Sequence, residues 1–330
     1  MNDKRINDEF DTIVVGGGIV GLFLSWFLSE DGAAVACLDD GRNAGSLANA
    51  GSLHGQMQSR MERLFPERVA DYQETLSIYP RAIDYWAEVA CLLDEDIEFH
   101  LGGGLMVAES AVHLEALREK CRIENRCGIE TSVISASETF AIAPYLHDDI
   151  AGALYCRKEG KANPLTTINC VRRIARTKGA TLLENVRVNR IETAAAGYDV
   201  DSSAGVFRAA RVAVAAGAGS GDILATLGID IPVSAEPLHM NVTEATHAFM
   251  PHLVQHAELA LTMKQLKTGQ LLIGGGWPAR APVDQGVAEV LPDSLLGNLA
   301  LARHLVPGIA DLAVLRTWAG INTMVDLTSV

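Results

Sequence analysis

Residues Asp11–Asp40, DTIVVGGGIVGLFLSWFLSEDGAAVACLDD, read as strand, glycine turn, helix, strand and acidic end. Ile13, Val14 and Val15 form the short β-branched run that a buried parallel strand requires. Gly16, Gly18 and Gly21 then give G-x-G-x-x-G. The first glycine permits a tight turn, the second lets a pyrophosphate approach the backbone, and the third lets the helix pack close to the strand. The following helix offers free N–H groups and a positive dipole end to phosphates. Val35 to Leu38 form the second strand. Asp39 ends it, where a carboxylate accepts hydrogen bonds from adenosine ribose hydroxyls. The strand, helix and acidic residue stand in the required order, so the stretch predicts dinucleotide binding. The competing reading is a glycine-rich turn in another α/β protein.

The remaining composition is that of a globular chain. Its 330 residues, 48% hydrophobic and 21% charged, leave room for two domains. A net charge of −14 repels nucleic acid and anionic membranes. Cys37, Cys91, Cys121, Cys127, Cys156 and Cys170 show no CxxC pair or metal-ligand spacing, and read as reduced thiols of a cytoplasmic protein. The polar start MNDKRINDEFD is not a signal peptide. A peripheral position on the cytoplasmic side of a membrane stays compatible. Ile13 to Leu28 is uncharged and mostly apolar, but shorter than the roughly 20 residues that span a bilayer. Asn241-Val242-Thr243 matches a glycosylation acceptor, which carries no weight without a secretion signal.

Along the chain, Glu67 to Leu93 reads as one helix with an apolar stripe through Ile78, Ala82, Tyr85, Trp86 and Val89. Gly102 to Ala108 reads as a strand, His113 to Cys127 as a helix, and Pro164 to Lys178 as a helix closed by Gly179. From Thr181 the pattern turns to strands, ending at Ala215-Ala216-Gly217-Ala218-Gly219 and a helix to Leu227. Pro232 to Gly276 is strand-rich, with a hairpin turning at Thr268-Gly269. A helix over Ser294 to Leu305 and a strand over Leu312 to Trp318 follow. Nucleotide-type elements at the start and the middle imply two interleaved domains: 1–85, 155–228 and 310–330 for the nucleotide, and 86–154 with 229–309 for the substrate.

Six blocks together resemble the D-amino-acid oxidase superfamily of FAD-dependent amine oxidoreductases. They are GGGIVG through LDD, SLANAGSLHG, EGKANP (Gly160, Asn163, Pro164), GATLLENVRVNRIE, VAVAAGAGS and RTWAG (Arg316 to Gly320). The resemblance implies an α/β fold, with a Rossmann-type FAD-binding domain of the glutathione-reductase kind. That domain is interleaved with an α+β substrate domain built on an antiparallel sheet. It implies FAD as cofactor, with contacts from Gly16, Gly18, Ile19, Val20, Gly21, Asp39 and Asp40. Further contacts are expected from Asn49, Ala50, Gly51 and Ser52 under the flavin, from Val188 at the adenine, and from Ala216 and Gly217 over the pyrophosphate.

The implied chemistry is oxidation of a C–N bond in a small amino acid, either a D-amino acid, a secondary amino acid or an opine. The acceptor is open between oxygen, a quinone and a partner subunit, and homo- or hetero-oligomers fit equally. His54, just past the NAG loop, is expected near the isoalloxazine. Arg60 and Arg280 are candidates for the substrate carboxylate, because a guanidinium fork bonds both oxygens. Arg316 is a rival anchor that fits better as a structural partner of the WAG strand.

His239, His247, His252 and His256 crowd one region, where a solvated loop is expected rather than a metal pair on a helix face. Trp86 and Trp277 are expected as core aromatics. The family continues past the WAG block with a strand, a glycine turn and a helix facing the flavin. Here Asp326 falls on the family's aspartate and the sequence runs to Val330. A fragment or non-catalytic, partner-dependent subunit is therefore one alternative, with weakened flavin retention. An NAD-dependent dehydrogenase is another, disfavoured by the NAG loop and the late VAVAAG strand.

Overall fold

The chain begins with β1 (Glu9–Val15), α1 (Ile19–Glu30), β2 (Val35–Asp39) and the short α2 (Gly45–Ala48). It continues through β3 (Ser52–Leu53), α3 (Val69–Leu76), α4 (Tyr79–Leu92), β4 (Gly104–Ala108) and α5 (Ala111–Arg126). Next come β5 (Thr131–Ser135), α6 (Ala136–Ile142), β6 (Gly152–Cys156), β7 (Gly160–Lys161) and α7 (Pro164–Thr177). The strands β8 (Thr181–Glu184), β9 (Val188–Ala194), β10 (Gly197–Ser202) and β11 (Gly205–Val214) precede α8 (Ser220–Ala225). Last are β12 (Val233–Ala245), β13 (Leu253–His256), β14 (Thr262–Gln265), β15 (Gln270–Gly274), α9 (Pro292–Leu305) and β16 (Val314–Val325). This computed structural model describes residues 9–41, 45–58, 69–281 and 288–325, with no side chains for 69–72.

Two compact units result. One holds Met1–Asn49, Pro164–Pro237 and Gly320–Val330; the other holds Ala50–Asn163 and Leu238–Ala319. The chain passes between them at 49/50, 163/164, 237/238 and 319/320. Residues 50–85, read in the sequence with the nucleotide domain, fall in the second unit. The cause is local: β3 pairs with β7, and Met57 and Leu76 bury against Ile123, Ile129 and Cys156.

The first unit is organised by a six-stranded sheet of order β8-β2-β1-β11-β10-β9. β8, β2, β1 and β11 run parallel, while β10 and β9 are added antiparallel. β1 is buried on both faces, as its unbroken apolar run requires. Ile13 and Val15 join Leu38, Ile191, Val200 and Phe207 on one face; Val14 joins Val35 and Cys37 on the other, under Leu24 and Leu28 of α1. Each such side chain contributes on the order of 1.5–3 kcal/mol when fully buried. The apolar stretch Ile13 to Leu28 is thus strand plus helix, and no helix among the described residues is long and apolar enough to cross a membrane.

The second unit is built on a mixed eight-stranded sheet, β16-β12-β15-β14-β13-β4-β6-β5. All described neighbour pairs are antiparallel except β13–β4, which is parallel. Leu105, Val107, Val254, Met263 and Ile273 face one layer, where Ala302 and Leu305 of α9 close the core. Met106, Ala108 and Leu154 face the other, against Leu117 of α5. The hairpin β14–β15 turns where expected, with Gly269 at φ +95°.

The structure corrects two further expectations. The single helix over Glu67 to Leu93 is two helices, α3 and α4, because Pro80 starts the second at its first turn. Its buried stripe is Ile83 and Val89, whereas Ile78 and Tyr85 are exposed. The histidine cluster is no solvated loop: His239, His252 and His256 are buried, and only His247 of the four is exposed. His252 precedes and His256 ends the strand β13, so the pair is not on a helix. Asn241 is buried and donates to Asn298 Oδ1 at 3.0 Å, so the tripeptide is no accessible acceptor.

Candidate active site

The glycine turn lies at the carboxyl ends of β1 and β2, where open α/β sheets bind ligands. Its geometry demands glycine for different reasons at each position. Gly16 has φ +108°, and an added Cβ would sit 2.4 Å from the Ala215 carbonyl oxygen. At Gly21 a Cβ would lie 1.9 Å from the Gly16 carbonyl oxygen, so α1 packs directly on the turn. Gly17, which sequence reasoning passed over, is needed because the Asp39 carboxyl lies over it, 2.6 Å from a built Cβ. Gly18 is the open one: its Cβ would meet only Ser46 Oγ, at 3.3 Å.

Gly18 caps α1 with no side-chain hydrogen bond, and the Ile19 N–H donates to Ser46 Oγ at 3.1 Å. Val20 is exposed at this helix start. The other first-turn N–H groups have no intrahelical acceptor and face an anion's natural position. One Asp39 oxygen accepts from Gly41 N–H at 3.3 Å, and Asp40 follows directly. On the neighbouring strand, Ala215 N–H donates to the Val15 carbonyl at 2.8 Å, and Ala216 and Gly217 (φ +57°) follow. Val188 opens β9 and is buried. Together, a helix N-terminus without a side-chain cap, a bare glycine surface and a carboxylate at the strand end fit the pyrophosphate and ribose of FAD. Cys37 beneath the turn is pushed up to about 11 by burial, so it remains a neutral thiol.

Asn49 ends the first unit's opening segment, and Ala50, Gly51 and Ser52 open the second unit. Gly51 (φ +71°) accepts from Ala162 N–H at 2.9 Å, and Ser52 pairs with Lys161. This anchors the small-residue loop to the EGKANP segment. Next to it stands a buried polar network that no sequence signal announced. His54 Nδ1 lies 3.4 Å from Glu159 Oε1. Gln56 Nε2 donates to Glu159 Oε2 at 2.8 Å, and Lys120 Nζ donates to Gln56 Oε1 at 3.3 Å and to Glu124. Met57 N–H donates to the same Glu124 oxygen at 2.7 Å. Gln56, Lys120, Glu124 and Glu159 are all almost fully buried. His54 thus stands at the one partly open end of a charged chain that fixes the loop from below.

Neither Arg280 nor Arg316 joins this network among the described residues. Arg280 is exposed and pairs with Glu289 at 2.9 Å. Arg316 stacks on Trp318, 5.6 Å from the ring centre, as a partner of the WAG strand. Arg60 and Asp326 lie outside the described residues. Trp277 is half-buried, held by its Nε1 hydrogen bond to the Ala260 carbonyl at 2.6 Å, and Trp86 is likewise half-buried.

Lys264 is the outlier of the second unit. It sits on β14 at 2% exposure, and its Nζ finds no hydrogen-bond partner among the described residues. Burial, and next the charge of Lys161, hold its pKa well below the usual lysine value. An unsatisfied buried donor costs about 1–3 kcal/mol, so Lys264→Met is expected to raise the urea midpoint. The folded pKa lies below the unfolded 10.5, so the unfolded chain binds more protons. Wild-type stability therefore gains as pH rises toward that value, and the variant should lack this gain.

A family model described as "DAO: FAD dependent oxidoreductase" matches residues 11–329. The chain belongs to the DAO family. It is an FAD-dependent enzyme. This DAO chain is 26% identical over 328 residues to an opine oxidase subunit of Rhizobium meliloti, covering 94% of this chain and 81% of that one. It is 26% identical over 330 residues to the sarcosine oxidase beta subunit of an Arthrobacter species, covering 96% and 78%. Its fold matches glycine oxidase from Geobacillus kaustophilus with a TM-score of 0.83 at 21% identity, covering 97% and 84%.

Proposed function

We propose that this chain oxidises the C–N bond of a small amino acid bearing a secondary amine, an opine or an N-alkyl amino acid, with D-amino acids the neighbouring class. The observation that carries the reading is the family match over nearly the whole chain, joined to two relatives named for opine and sarcosine oxidation. FAD, when bound, would supply the two-electron acceptor for hydride from the substrate α-carbon, and hydrolysis of the resulting imine in water would release a 2-oxo acid and an amine. The protein's work is positioning. The α1 N-terminus takes the pyrophosphate, and Asp39 takes the ribose hydroxyls. His54, whose Nδ1 lies 3.4 Å from Glu159 Oε1, is the residue proposed to donate a hydrogen bond to the flavin or the substrate. Arg60 and Arg280 are the carboxylate anchors to test.

Both relatives are named as subunits of oxidases, which supports a second proposal: this chain works beside a partner subunit. Separate titrations of the apoprotein with FAD and NADH test the cofactor assignment. Saturable FAD binding without NADH binding is expected. Saturable NADH binding alone would overturn it.

A further inference from the structure

A second cluster of chemistry-bearing side chains lies in the second unit. Glu109 follows β4, His147 lies between α6 and β6, and His304 sits in the last turn of α9. One ligand-type atom from each falls within 4.8 Å of the others. Glu109 Oε1 lies 2.8 Å from His147 Nε2 and 2.5 Å from His304 Nε2. The two imidazoles stand 4.6 Å apart, centre to centre.

We propose that Glu109, His147 and His304 bind a divalent transition-metal cation of the zinc class, with its fourth position open to water. Two nitrogens and one carboxylate oxygen are a donor set that zinc takes readily. The side chain of His147 is nine-tenths buried, yet its Nε2 makes no hydrogen bond among the described residues, although Glu109 Oε1 is 2.8 Å away. Its ring nitrogen is therefore directed past the carboxylate. His304 Nε2 hydrogen-bonds to the same Glu109 oxygen at 2.5 Å, so a cation replaces that bond while it takes up the unpaired His147 nitrogen. At metal–ligand distances of about 2.0–2.2 Å, tetrahedral donors stand roughly 3.3 Å apart, so the 2.8 Å His147–Glu109 pair opens by about 0.5 Å and the 2.5 Å His304–Glu109 pair by about 0.8 Å.

The carboxylate is already oriented for this. Its other oxygen, Glu109 Oε2, is 2.8 Å from His256 Nε2. His256 Nδ1 accepts the N–H groups of Glu258 and Leu259 at 3.0 and 2.7 Å, so its proton sits on Nε2 and points at Glu109. Such an outer hydrogen bond fixes a metal-ligating carboxylate and leaves Oε1 for the cation. Binding has one local cost. His147 Nδ1 accepts Asp149 N–H at 3.2 Å, and ligation through Nε2 moves the ring proton to Nδ1, exchanging that long bond. His304 is exposed, so the cation can reach the cluster from solvent. The three ligands come from distant segments, so occupancy staples α9 to the end of β4.

The test uses the whole chain, purified without a metal column and dialysed against a chelator. Titrated Zn²⁺ is expected to bind with one equivalent by calorimetry, and Co²⁺ to give visible bands of low coordination number. A metal concentration on the order of 100 times Kd should raise the thermal midpoint by roughly 5 °C. His304→Ala, an exposed change with little risk to folding, and His147→Gln should each weaken binding at least tenfold. His247→Gln, exposed and outside the cluster, should leave it unchanged. Absence of saturable Zn²⁺ binding, or binding indifferent to His304→Ala and His147→Gln, would overturn the proposal.

Discussion

Gly21→Ala should leave the protein without flavin. The added Cβ would sit 1.9 Å from the Gly16 carbonyl oxygen, and a Cβ has no rotamer by which to escape. α1 must move off the turn, and its N-terminal N–H groups move with it. Overpacking of this kind costs about 1–3 kcal/mol, or more when the contact is backbone. Misplacement of the phosphate donors adds to it, so FAD affinity should fall by roughly 100-fold or more, where each 1.4 kcal/mol is tenfold. Gly18→Ala separates fold from binding. Its Cβ would meet only the flexible Ser46 Oγ at 3.3 Å, and its φ of −71° suits alanine. Its urea midpoint should match wild type while FAD affinity drops, because a methyl group occupies the phosphate's approach. Equal FAD affinity in both variants and the wild type, by fluorescence titration, would show that the cofactor does not use this turn.

The second large effect is expected from Lys120→Met. Lys120 is buried between Gln56 and Glu124, and Glu159 lies one hydrogen bond further on. Removing the ammonium strands buried carboxylate charge, which costs about 3–5 kcal/mol in comparable buried pairs. The urea midpoint should fall accordingly. The double variant Lys120→Met/Glu124→Leu should recover much of that loss, since apolar replacement of a whole buried pair is often near neutral. The network also anchors the loop that carries His54, so the single variant should loosen the site as well as the fold. A Lys120→Met midpoint within about 0.5 kcal/mol of wild type would contradict this role for the network.

What was legible in the sequence was local. The glycine turn, its flanking strands and Asp39 lie within thirty residues, and each position has its own steric reason. The strands from Thr181 to Val214 show the alternation and turn residues that set their pairing. What was not legible was long-range pairing of polar groups. Gln56 meets Glu159 across 103 positions and Lys120 across 64, and no periodicity announces such partners. His256 looked like a solvated loop residue because its partner Glu109 lies 147 positions away. The split of α3 from α4 was readable from Pro80, but the amphipathic spacing on both sides masked it.

Whether the chain oxidises a small amino acid through FAD is tested most directly by anaerobic titration of the FAD-loaded protein with secondary amino acids, opines and D-amino acids. At least one of them is expected to bleach the visible flavin absorbance and to yield one 2-oxo acid per flavin reduced. A flavin that dithionite bleaches but no member of these classes reduces would contradict the proposed activity.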